Sequence, residues 1–531
     1  MVFPIKNIFV LWCALAPLAC YGFKSGEFKT CEMNNFCTRN RGRERGQPWE
    51  ILGKFSFHGS KGSGLVARAT VIDTSTPQAP YTLELSAYIP GAVRIKMKPA
   101  PPKDKSRFEV SDVLVDSLPS KELDWDAYHF GDEKTIFQLG DTEVVITHSP
   151  LRLETVVGGK PGVVFNERNL LNYEHLRDSK QDSDPPEFWE EKFKSHTDTI
   201  KRGPQSIMLD VSFPSAEEVY GIPEHATSFA LNPTKGKGIN SEPYRLFNLD
   251  VFEYLHESPF GLYGSIPVLM AHGKGLSTGV FWLNAAEMYV DISRHETTNA
   301  PESAWMSESG IIDLFVMTGP TPAKAVEQYS SLTGMTDLPP LFAIGYHQCR
   351  WNYRDEADIA AVDAGFDENQ MPYDVIWLDI EHTNGKRYMT WDQHLFPNPV
   401  SMQEGISNHR RKMVTIVDPH IKRTQDYGIH TEATSLGHYV KDKDGKDYEG
   451  WCWPGSSSYL DFTSPTVRAW WGSKFGLDKY IGSTKDLFIW NDMNEPSVFN
   501  GPEVTMPKAA VHHGDWEHRD VHNLYGYYVH M

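Results

Sequence analysis

The sequence predicts a multidomain fold, in which a β-sandwich N-terminal domain is followed by the first half of a (β/α)8 TIM barrel with an inserted subdomain. Three observations predict it. Short segments of alternating polarity fill residues 50 to about 320, as is typical of half-buried strands. From residue 338 onward, apolar strands alternate with helical segments, as in a buried parallel sheet. Those strands end in charged or aromatic side chains, which is where such barrels keep their active sites.

Residues 1–22 predict a secretory signal peptide. Lys6 precedes an apolar run, and small residues follow near Gly22, which is the pattern of a cleaved leader. No later segment approaches 18 uninterrupted apolar residues, so no membrane span is predicted. The formal net charge of −19, without a Lys/Arg stripe, argues against nucleic acid as a partner because such a surface repels phosphates.

The N-terminal domain is predicted to be β-rich throughout residues 23–320. VRIKM at 93–97 and IMLDVSF at 207–213 alternate apolar and polar residues, and Gly and Pro separate such segments at short intervals. This pattern favours a sandwich over βαβ units. One segment, 177–205, is charged and turn-rich and is predicted to be an exposed loop.

A linker helix between the domains is predicted over residues 321–337. Thr321 is suited to the N-cap, Pro322 to the first helical position and Gly334 to the residue past the end, because each residue type favours the backbone geometry of its position.

The partial catalytic barrel is predicted over residues 338–531, with an inserted subdomain at 422–485. Its four predicted strands are 342–349, 374–382, 412–421 and 486–495. A closed (β/α)8 barrel needs eight strands, so the barrel is expected to be incomplete.

The polar ends of these four strands are the candidate site. Parallel strands end at the same edge of a sheet, so their terminal side chains should surround one opening. The candidates are His347, Gln348, Arg350, Asp379, Glu381, His382, Asp418, His420, Trp490, Asp492, Asn494 and Glu495. Carboxyl pairs of this kind are the groups that hydrolyse glycosidic bonds.

WNDMNEPSVF, residues 490–499, resembles the W-x-D-M-N-E nucleophile signature of glycoside hydrolase family 31. GYHQCRWNY, VIWLDIEH, VDPHIK and WEHRDVHNLYG match the same family at their expected places, as does the N-terminal FKTCEMNNFC. These motifs are long and lie in the family's order, and the resemblance covers essentially the whole mature chain.

The resemblance implies a retaining α-glucosidase that removes α-1,3-linked glucose from N-linked glycans in the endoplasmic reticulum. Asp492 matches the family's nucleophile, and Asp379 matches a residue that hydrogen-bonds sugar hydroxyls. The residues that would line the glucose pocket are Ile416, Trp453, Trp490 and Met493. Two carboxyl groups suffice for this hydrolysis, so neither a cofactor nor a metal is expected.

The family's acid/base is an Asp on a later barrel segment, further along than the 39 residues that follow Asp492. The acid/base is therefore expected to be absent from this chain. An alternative to an active enzyme is an inactive truncated fragment or isoform that at most binds sugar or a partner subunit. A third possibility is an α-glucosidase or α-xylosidase with a different glycan preference.

The resemblance also implies a heterodimer with a β subunit that carries the retrieval signal, which agrees with the lack of a KDEL-type tail and with location in the endoplasmic reticulum lumen. Cys31 and Cys37 are spaced to close a small disulfide loop in an oxidising compartment, with two free thiols as the alternative. Cys349 and Cys452 are left without a pairing. The histidine-rich tail, 511–530, lacks metal-ligand spacing and is predicted to be a solvated helix face.

Overall fold

The computed structural model describes residues 24–531 except 60, 61, 63, 78, 89–90, 101–106, 119–121, 178, 236–240 and 259. The predicted signal peptide, 1–22, lies outside the described residues. Within the described part of the chain, no helix combines the length and apolar character that crossing a membrane requires.

Strands dominate the N-terminal half. The strands among its described residues are, in chain order, β1 (Trp49–His58), β2 (Val66–Asp73), β3 (Tyr81–Tyr88), β4 (Ala92–Pro99), β5 (Glu122–Leu123), β6 (Ala127–Phe130), β7 (Lys134–Leu139), β8 (Thr142–Thr147), β9 (Arg152–Val157), β10 (Lys160–Phe165), β11 (Asn172–Tyr173), β12 (Glu190–Phe193), β13 (His196–Thr199), β14 (Ile207–Ser212), β15 (Glu218–Gly221), β16 (Tyr244–Leu246), β17 (Val268–Gly273), β18 (Leu276–Trp282), β19 (Met288–Arg294), β20 (Pro301–Ser307) and β21 (Ile312–Met317).

Most of these strands form two antiparallel sheets. One sheet has the order β1-β2-β3-β4-β21-β18-β17-β15, with β5 beside β3, and the other has the order β16-β19-β20-β14-β10-β9-β8-β7-β6, with β11 beside β14. Every second residue of β9 is buried, as expected when one face of a sheet meets a core. Trp49 and Leu85 of the first sheet share an apolar core with Phe137, Val211 and Trp305 of the second. The N-terminal half is therefore a sandwich.

Two helices cover the outer faces of the sandwich. The helix α1 (Asn35–Arg41) packs on β20, and Cys31 forms a disulfide with Cys37 at its start. The helix α2 (Pro322–Thr333) lies within the predicted linker and packs against β18 and β21 through Ala325 and Leu332. It therefore belongs to the sandwich's outer layer as well as joining the two halves.

Replacing Thr321 by Ala is expected to lower the free energy of unfolding by about 1 kcal/mol, because the Thr321 side-chain oxygen accepts a hydrogen bond from Lys324 N at 3.2 Å. Urea denaturation of both proteins measures the difference. Thr321→Ser is the control, since it keeps the acceptor. Equal losses in the Ala and Ser variants would show that capping does not stabilise α2.

The charged segment 177–205 is mostly exposed or half-buried, as predicted, but it contains the hairpin β12–β13 and is not only a loop. Glu191 is 8% exposed and pairs with the ammonium of Lys29. Asp198 pairs with the guanidinium of Arg519 at 2.9 Å. The charges that suggested solvation are thus compensated by partners distant in sequence, which lets the segment pack.

The C-terminal half alternates strands and helices. They are, in chain order, β22 (His347–Gln348), α3 (Glu356–Glu368), β23 (Val375–Leu378), α4 (Pro399–Asn408), β24 (Lys412–Val417), β25 (His420–Lys422), α5 (Gly428–Leu436), β26 (Gly450–Cys452), β27 (Gly455–Tyr459), α6 (Pro465–Ser473), β28 (Leu487–Asn491), β29 (Val511–His512), β30 (Trp516–Glu517) and α7 (His518–His530). Short 3-10 helices lie at Ser25–Glu27, Cys31–Met33, Pro186–Phe188, Leu341–Ile344, Ile380–His382 and Pro502–Val504.

The strands β22, β23, β24 and β28 form one parallel sheet in that order. The first is shorter than the predicted 342–349, because the chain is in a 3-10 helix until Ile344. The predicted insertion, 422–485, also differs in extent. It holds most of the small sheet β25-β27-β26 but also α6, which buries Val467 and Trp471 in the barrel core. The helix α6 is therefore the crossover to β28.

Buried ion pairs join the sandwich to the barrel. Arg245 pairs with Glu287 at 2.7 Å and with Glu503 at 2.6 Å. Lys508 pairs with Glu308 at 2.7 Å and also with Glu287. All five side chains are at most 10% exposed. Separating the two halves would leave buried charges without their partners, which is costly. The network therefore fixes the two halves relative to each other.

Candidate active site

Asp379 and Asp492 stand at the same edge of the parallel sheet. Asp379 directly follows β23, and Asp492 directly follows β28. Both are half-buried. Asp379 accepts a hydrogen bond from Ile380 N at 2.6 Å, which fixes its carboxyl at the strand end. The Asp379 carboxylate is near enough to raise the pKa of Asp492.

Asp492 is a carboxyl whose ionisation is tuned by its surroundings. Burial raises the pKa of Asp492 above its ordinary value, and the backbone N–H of Met493 opposes that effect. The carboxylates of Asp379 and Asp250 raise the pKa further, because like charges disfavour a second negative charge. Asp492 therefore gains its charge at a higher pH than an exposed Asp.

Glu495 is a second carboxyl of the site, in a different protonation state. It is 6% exposed, and burial raises the pKa of Glu495 to about 8, with the carboxylates of Asp250 and Asp492 adding to the effect. Its Oε2 atom has no hydrogen-bond partner among the described residues. Glu495 is thus mostly protonated at neutral pH. Its Oε2 atom can donate or accept one further hydrogen bond, depending on which oxygen carries the proton.

In an extended strand, Glu495 would face away from Asp492, which lies three residues earlier. The strand β28 ends at Asn491, and Met493 has a φ of 60°, so the chain has already turned. Extended geometry does not apply beyond Asp492, and the charge of Asp492 reaches Glu495.

Behind the two strand ends lies a buried group of three polar side chains. The Tyr388 hydroxyl lies 2.5 Å from Asp418 Oδ2, to which it donates, and 2.7 Å from His420 Nε2. Burial raises the pKa of Asp418 well above its ordinary value; the Tyr388 hydroxyl opposes this, and the Asp492 carboxylate adds to it. The Oδ1 atom of Asp418 and the Nδ1 atom of His420 lack partners among the described residues. They remain available to a polar ligand or water.

The predicted wall residues lie together around β24 and β28. Ile416 is 2% exposed and stands opposite Trp490 in the parallel register. The Trp490 ring centroid lies 5.2 Å from that of Trp377, and Met493 is buried in the turn that follows. Trp377 is an additional aromatic residue at this place, which the sequence analysis did not predict. Its indole N–H donates a hydrogen bond to His347 Nδ1 at 2.8 Å.

Trp453 reaches the same region from the inserted subdomain. It lies in the turn between β26 and β27 and is 45% exposed. Its ring meets Phe499 edge-on, with centroids 4.6 Å apart, and Phe499 N donates to the carbonyl of Trp451 at 2.8 Å. The subdomain and the segment after Asp492 are therefore joined at the rim, through aromatic surface suited to a sugar ring.

The sandwich also contributes to the site, which the sequence did not indicate. Asp250 follows β16 and is half-buried. Its carboxylate raises the pKa of both Asp492 and Glu495. It also affects Tyr263, whose pKa burial and the neighbouring carboxylates raise to about 12. No local motif marks Asp250, because only the packing of the two halves brings it to Asp492.

Among the described residues, one group of three carboxylate and histidine side chains is spaced closely enough to hold a metal ion. Ligand atoms of Asp363, Asp367 and His409 lie within 4.8 Å of one another. Arg411 pairs with Asp363 at 2.7 Å and with Asp367 at 2.6 Å. A guanidinium already balances these carboxylates, so the cluster is explained as an ion pair between α3 and the start of β24.

Comparison with known proteins identifies the family. The sequence matches the glycosyl hydrolase 31 N-terminal galactose mutarotase-like domain over residues 82–291 and the glycosyl hydrolases family 31 TIM-barrel domain over residues 336–531. A relative from Oryza sativa subsp. japonica, named probable glucan 1,3-alpha-glucosidase, is 51% identical over 538 residues, which cover 97% of this chain and 57% of the relative.

Neutral alpha-glucosidase AB from Homo sapiens is 45% identical over 554 residues, covering 95% of this chain and 58% of the relative. A crystal structure of the ER glucosidase II heterodimeric complex, consisting of a catalytic subunit and the binding domain of the regulatory subunit, matches with a TM-score of 0.88 and 40% identity, covering 94% of this chain and 58% of that chain. This chain thus spans less than two thirds of the length of each of these proteins, and it belongs to glycoside hydrolase family 31.

Proposed function

We propose that the protein is a retaining α-glucosidase with Asp492 as its nucleophile. The observation that carries the proposal is the position of Asp492, half-buried at the end of β28 and within electrostatic reach of Asp379. In this reaction the Asp492 carboxylate attacks the anomeric carbon, and the bond to the leaving oxygen breaks as that oxygen takes a proton from a general acid or from water. Water then hydrolyses the glucosyl ester and releases glucose.

The other site residues are assigned roles that fit their surroundings. Asp379, fixed by Ile380 N–H, is proposed to accept hydrogen bonds from glucose hydroxyls. The proposed walls of the glucose pocket are Ile416, Trp453, Trp490 and Met493. Aromatic faces suit the apolar faces of a sugar, and the buried Ile416 and Met493 would add apolar surface to the pocket. No cofactor is required, because carboxyl groups supply the chemistry.

The substrate and setting are proposed from the relatives. The name of the rice relative specifies a 1,3-α-glucosidase, and the solved neighbour is an ER glucosidase II with a regulatory subunit. We therefore propose that the chain trims α-1,3-linked glucose from N-glycans in the endoplasmic reticulum lumen, as a heterodimer with a glucosidase II β subunit. The disulfide between Cys31 and Cys37 agrees with an oxidising compartment.

A second candidate is a chain that binds glucosylated glycans without turning them over. One observation favours it: the matched part is only 57% and 58% of the two relatives. Without a proton donor, an alkoxide would have to leave unassisted, which slows cleavage of natural glycosides far more than attack on an activated one.

Two substrates separate the candidates. 5-Fluoro-α-D-glucosyl fluoride loses fluoride without protonation, so it tests nucleophilic attack alone. An α-1,3-linked glucose disaccharide tests the complete reaction, with the α-1,4-linked disaccharide to measure linkage preference. Covalent labelling plus disaccharide hydrolysis is expected for the α-glucosidase, and labelling or binding alone is expected for the second candidate. Absence of both labelling and glucose binding would contradict both.

Asp250→Asn is expected to shift the acid limb of the labelling rate to lower pH. The Asp250 carboxylate raises the pKa of Asp492, so removing it lowers that pKa and keeps Asp492 ionised in more acidic solution. Labelling rates between pH 4 and pH 7 measure the shift. Glu253→Gln, an exposed change three residues away, is the control, and identical acid limbs in all three proteins would contradict the coupling.

A further inference from the structure

Three buried histidines form a continuous chain of hydrogen bonds between the inserted subdomain and the sandwich. His512 Nδ1 lies 2.8 Å from Asp461 Oδ1, and His512 Nε2 lies 2.9 Å from His518 Nδ1. His518 Nε2 lies 2.7 Å from His522 Nδ1, and His522 Nε2 lies 2.8 Å from the Asn248 carbonyl oxygen. All three imidazoles are at most 4% exposed. The tail that carries them is therefore not the predicted solvated helix face.

Both ends of this histidine chain accept hydrogen bonds. The Asn248 carbonyl has no proton to give. Asp461 also accepts from the Thr463 hydroxyl and from His513 N, each at 2.6 Å. Although burial favours the neutral acid, His512 and these two donors lower the pKa of Asp461. Asp461 is therefore a carboxylate, and it offers His512 no proton.

Counting protons then shows an imbalance. The histidine chain contains four contacts, and each needs one N–H between its two atoms. A neutral imidazole carries one N–H, so three neutral histidines supply three. Without another proton, two lone pairs would face each other at one contact in a buried site, which costs free energy. One added proton satisfies all four contacts.

The surroundings decide where that proton resides. Burial, with the charges of Lys508 and Arg519, lowers the pKa of His518, and burial lowers the pKa of His522 to about 3. These two histidines stay neutral, each with its proton on Nε2. The other groups that face the histidine chain are Tyr525, Glu287 and Arg245. The Asp461 carboxylate directly contacts His512 at 2.8 Å and would balance a positive charge there.

We propose that the histidine chain is a buried proton-binding site that holds one excess proton on His512, paired with Asp461. The proton links four parts of the fold: the loop after β27, β29, α7 and the segment of the sandwich at Asn248. That segment leads directly to Asp250. Loss of the proton opens one of the two contacts that His512 makes, so the packing of β29 against Asp461 and α7 depends on it.

Nitrogen NMR of histidine-labelled full-length chain tests the proposal without using activity. At pH 7.5, a unit above the ordinary pKa of histidine, exposed imidazoles are mostly neutral. One imidazolium with both nitrogens protonated is expected to persist, together with two neutral imidazoles of the Nε2–H tautomer protected from exchange. Finding no persistent imidazolium, or an Nδ1–H tautomer at His518 or His522, would overturn the proposal.

Asp461→Asn assigns the signal, because its amide can donate to His512 Nδ1 and so removes the need for the added proton. The persistent imidazolium is expected to vanish in this variant and to remain in Asp444→Asn, an exposed change in the same subdomain. The folding equilibrium constant of the wild type should fall up to tenfold more per pH unit above pH 6.5 than that of Asp461→Asn. Retention of the imidazolium in Asp461→Asn would overturn its placement on His512. If that variant does not fold, the tautomers of the wild type still decide the matter.

Discussion

Asp492→Asn is expected to abolish the covalent glucosyl label that 5-fluoro-α-D-glucosyl fluoride leaves on the wild-type chain. An amide is a far weaker nucleophile than a carboxylate, so attack on the anomeric carbon stops. Any hydrolysis of an aryl α-glucoside should fall by about 10⁴-fold or more, as is typical when a nucleophile is removed. Intact mass and peptide mapping locate the label, and initial rates measure the loss.

The glycosyl fluoride makes this experiment independent of the acid/base, since fluoride departs without a proton. Asp478→Asn is the matched control, because Asp478 lies in the exposed loop before β28 with 78% of its side chain accessible. A label that maps to Asp379 or Glu495, or that persists in Asp492→Asn, would show that another carboxyl is the nucleophile.

Glu495→Gln is expected to remove a pH dependence of stability worth about 4 kcal/mol between pH 4.5 and pH 8. Burial raises the pKa of Glu495 from 4.5 to about 8. In this window the folded state therefore keeps a proton that the unfolded state releases, and the free energy of unfolding falls as pH rises. The slope is about 1.4 kcal/mol per pH unit. Gln resembles the protonated acid and has no such proton to lose.

Urea denaturation at pH 5, 6, 7 and 8 compares the two proteins. Their free energies of unfolding should be similar at pH 5 and should diverge as pH rises, with the variant more stable at pH 8. Glu404→Gln, an exposed substitution on α4, should follow the wild type. Parallel curves for wild type and Glu495→Gln would show that Glu495 is ionised in the fold throughout.

The parts of the fold that follow local patterns were predictable from the sequence. The alternation of polar and apolar residues gave the strands of the sandwich, because one face of each strand meets the core. Continuous apolar runs predicted the four parallel strands, of which the central β23 and β24 are largely buried and the outer β22 and β28 are partly exposed. The cap residues of α2 were predictable for the same reason, since capping involves only neighbouring residues.

Predictions from the sequence were wrong where residues distant in sequence compensate a charge or determine where a strand or helix ends. The hairpin β12–β13 was predicted to be a loop because Lys29 and Arg519, which pair with its carboxylates, are far away in sequence. The histidine-rich tail looked exposed for the same reason, since Asp461 and Asn248 satisfy its imidazoles. Burial of this kind cannot be predicted from the local periodicity of apolar residues.

The sequence by itself determined which functional groups the site contains, namely carboxyl groups at the ends of parallel strands. The motif residues Asp379 and Asp492, and the strands that precede them, are set by a local order of apolar and polar residues. The tertiary structure alone decided their protonation, because a pKa depends on burial and on every charge nearby. It brought Asp250 of the sandwich to Asp492, kept Glu495 neutral and closed the histidine chain, since each of these contacts joins residues that no local pattern connects.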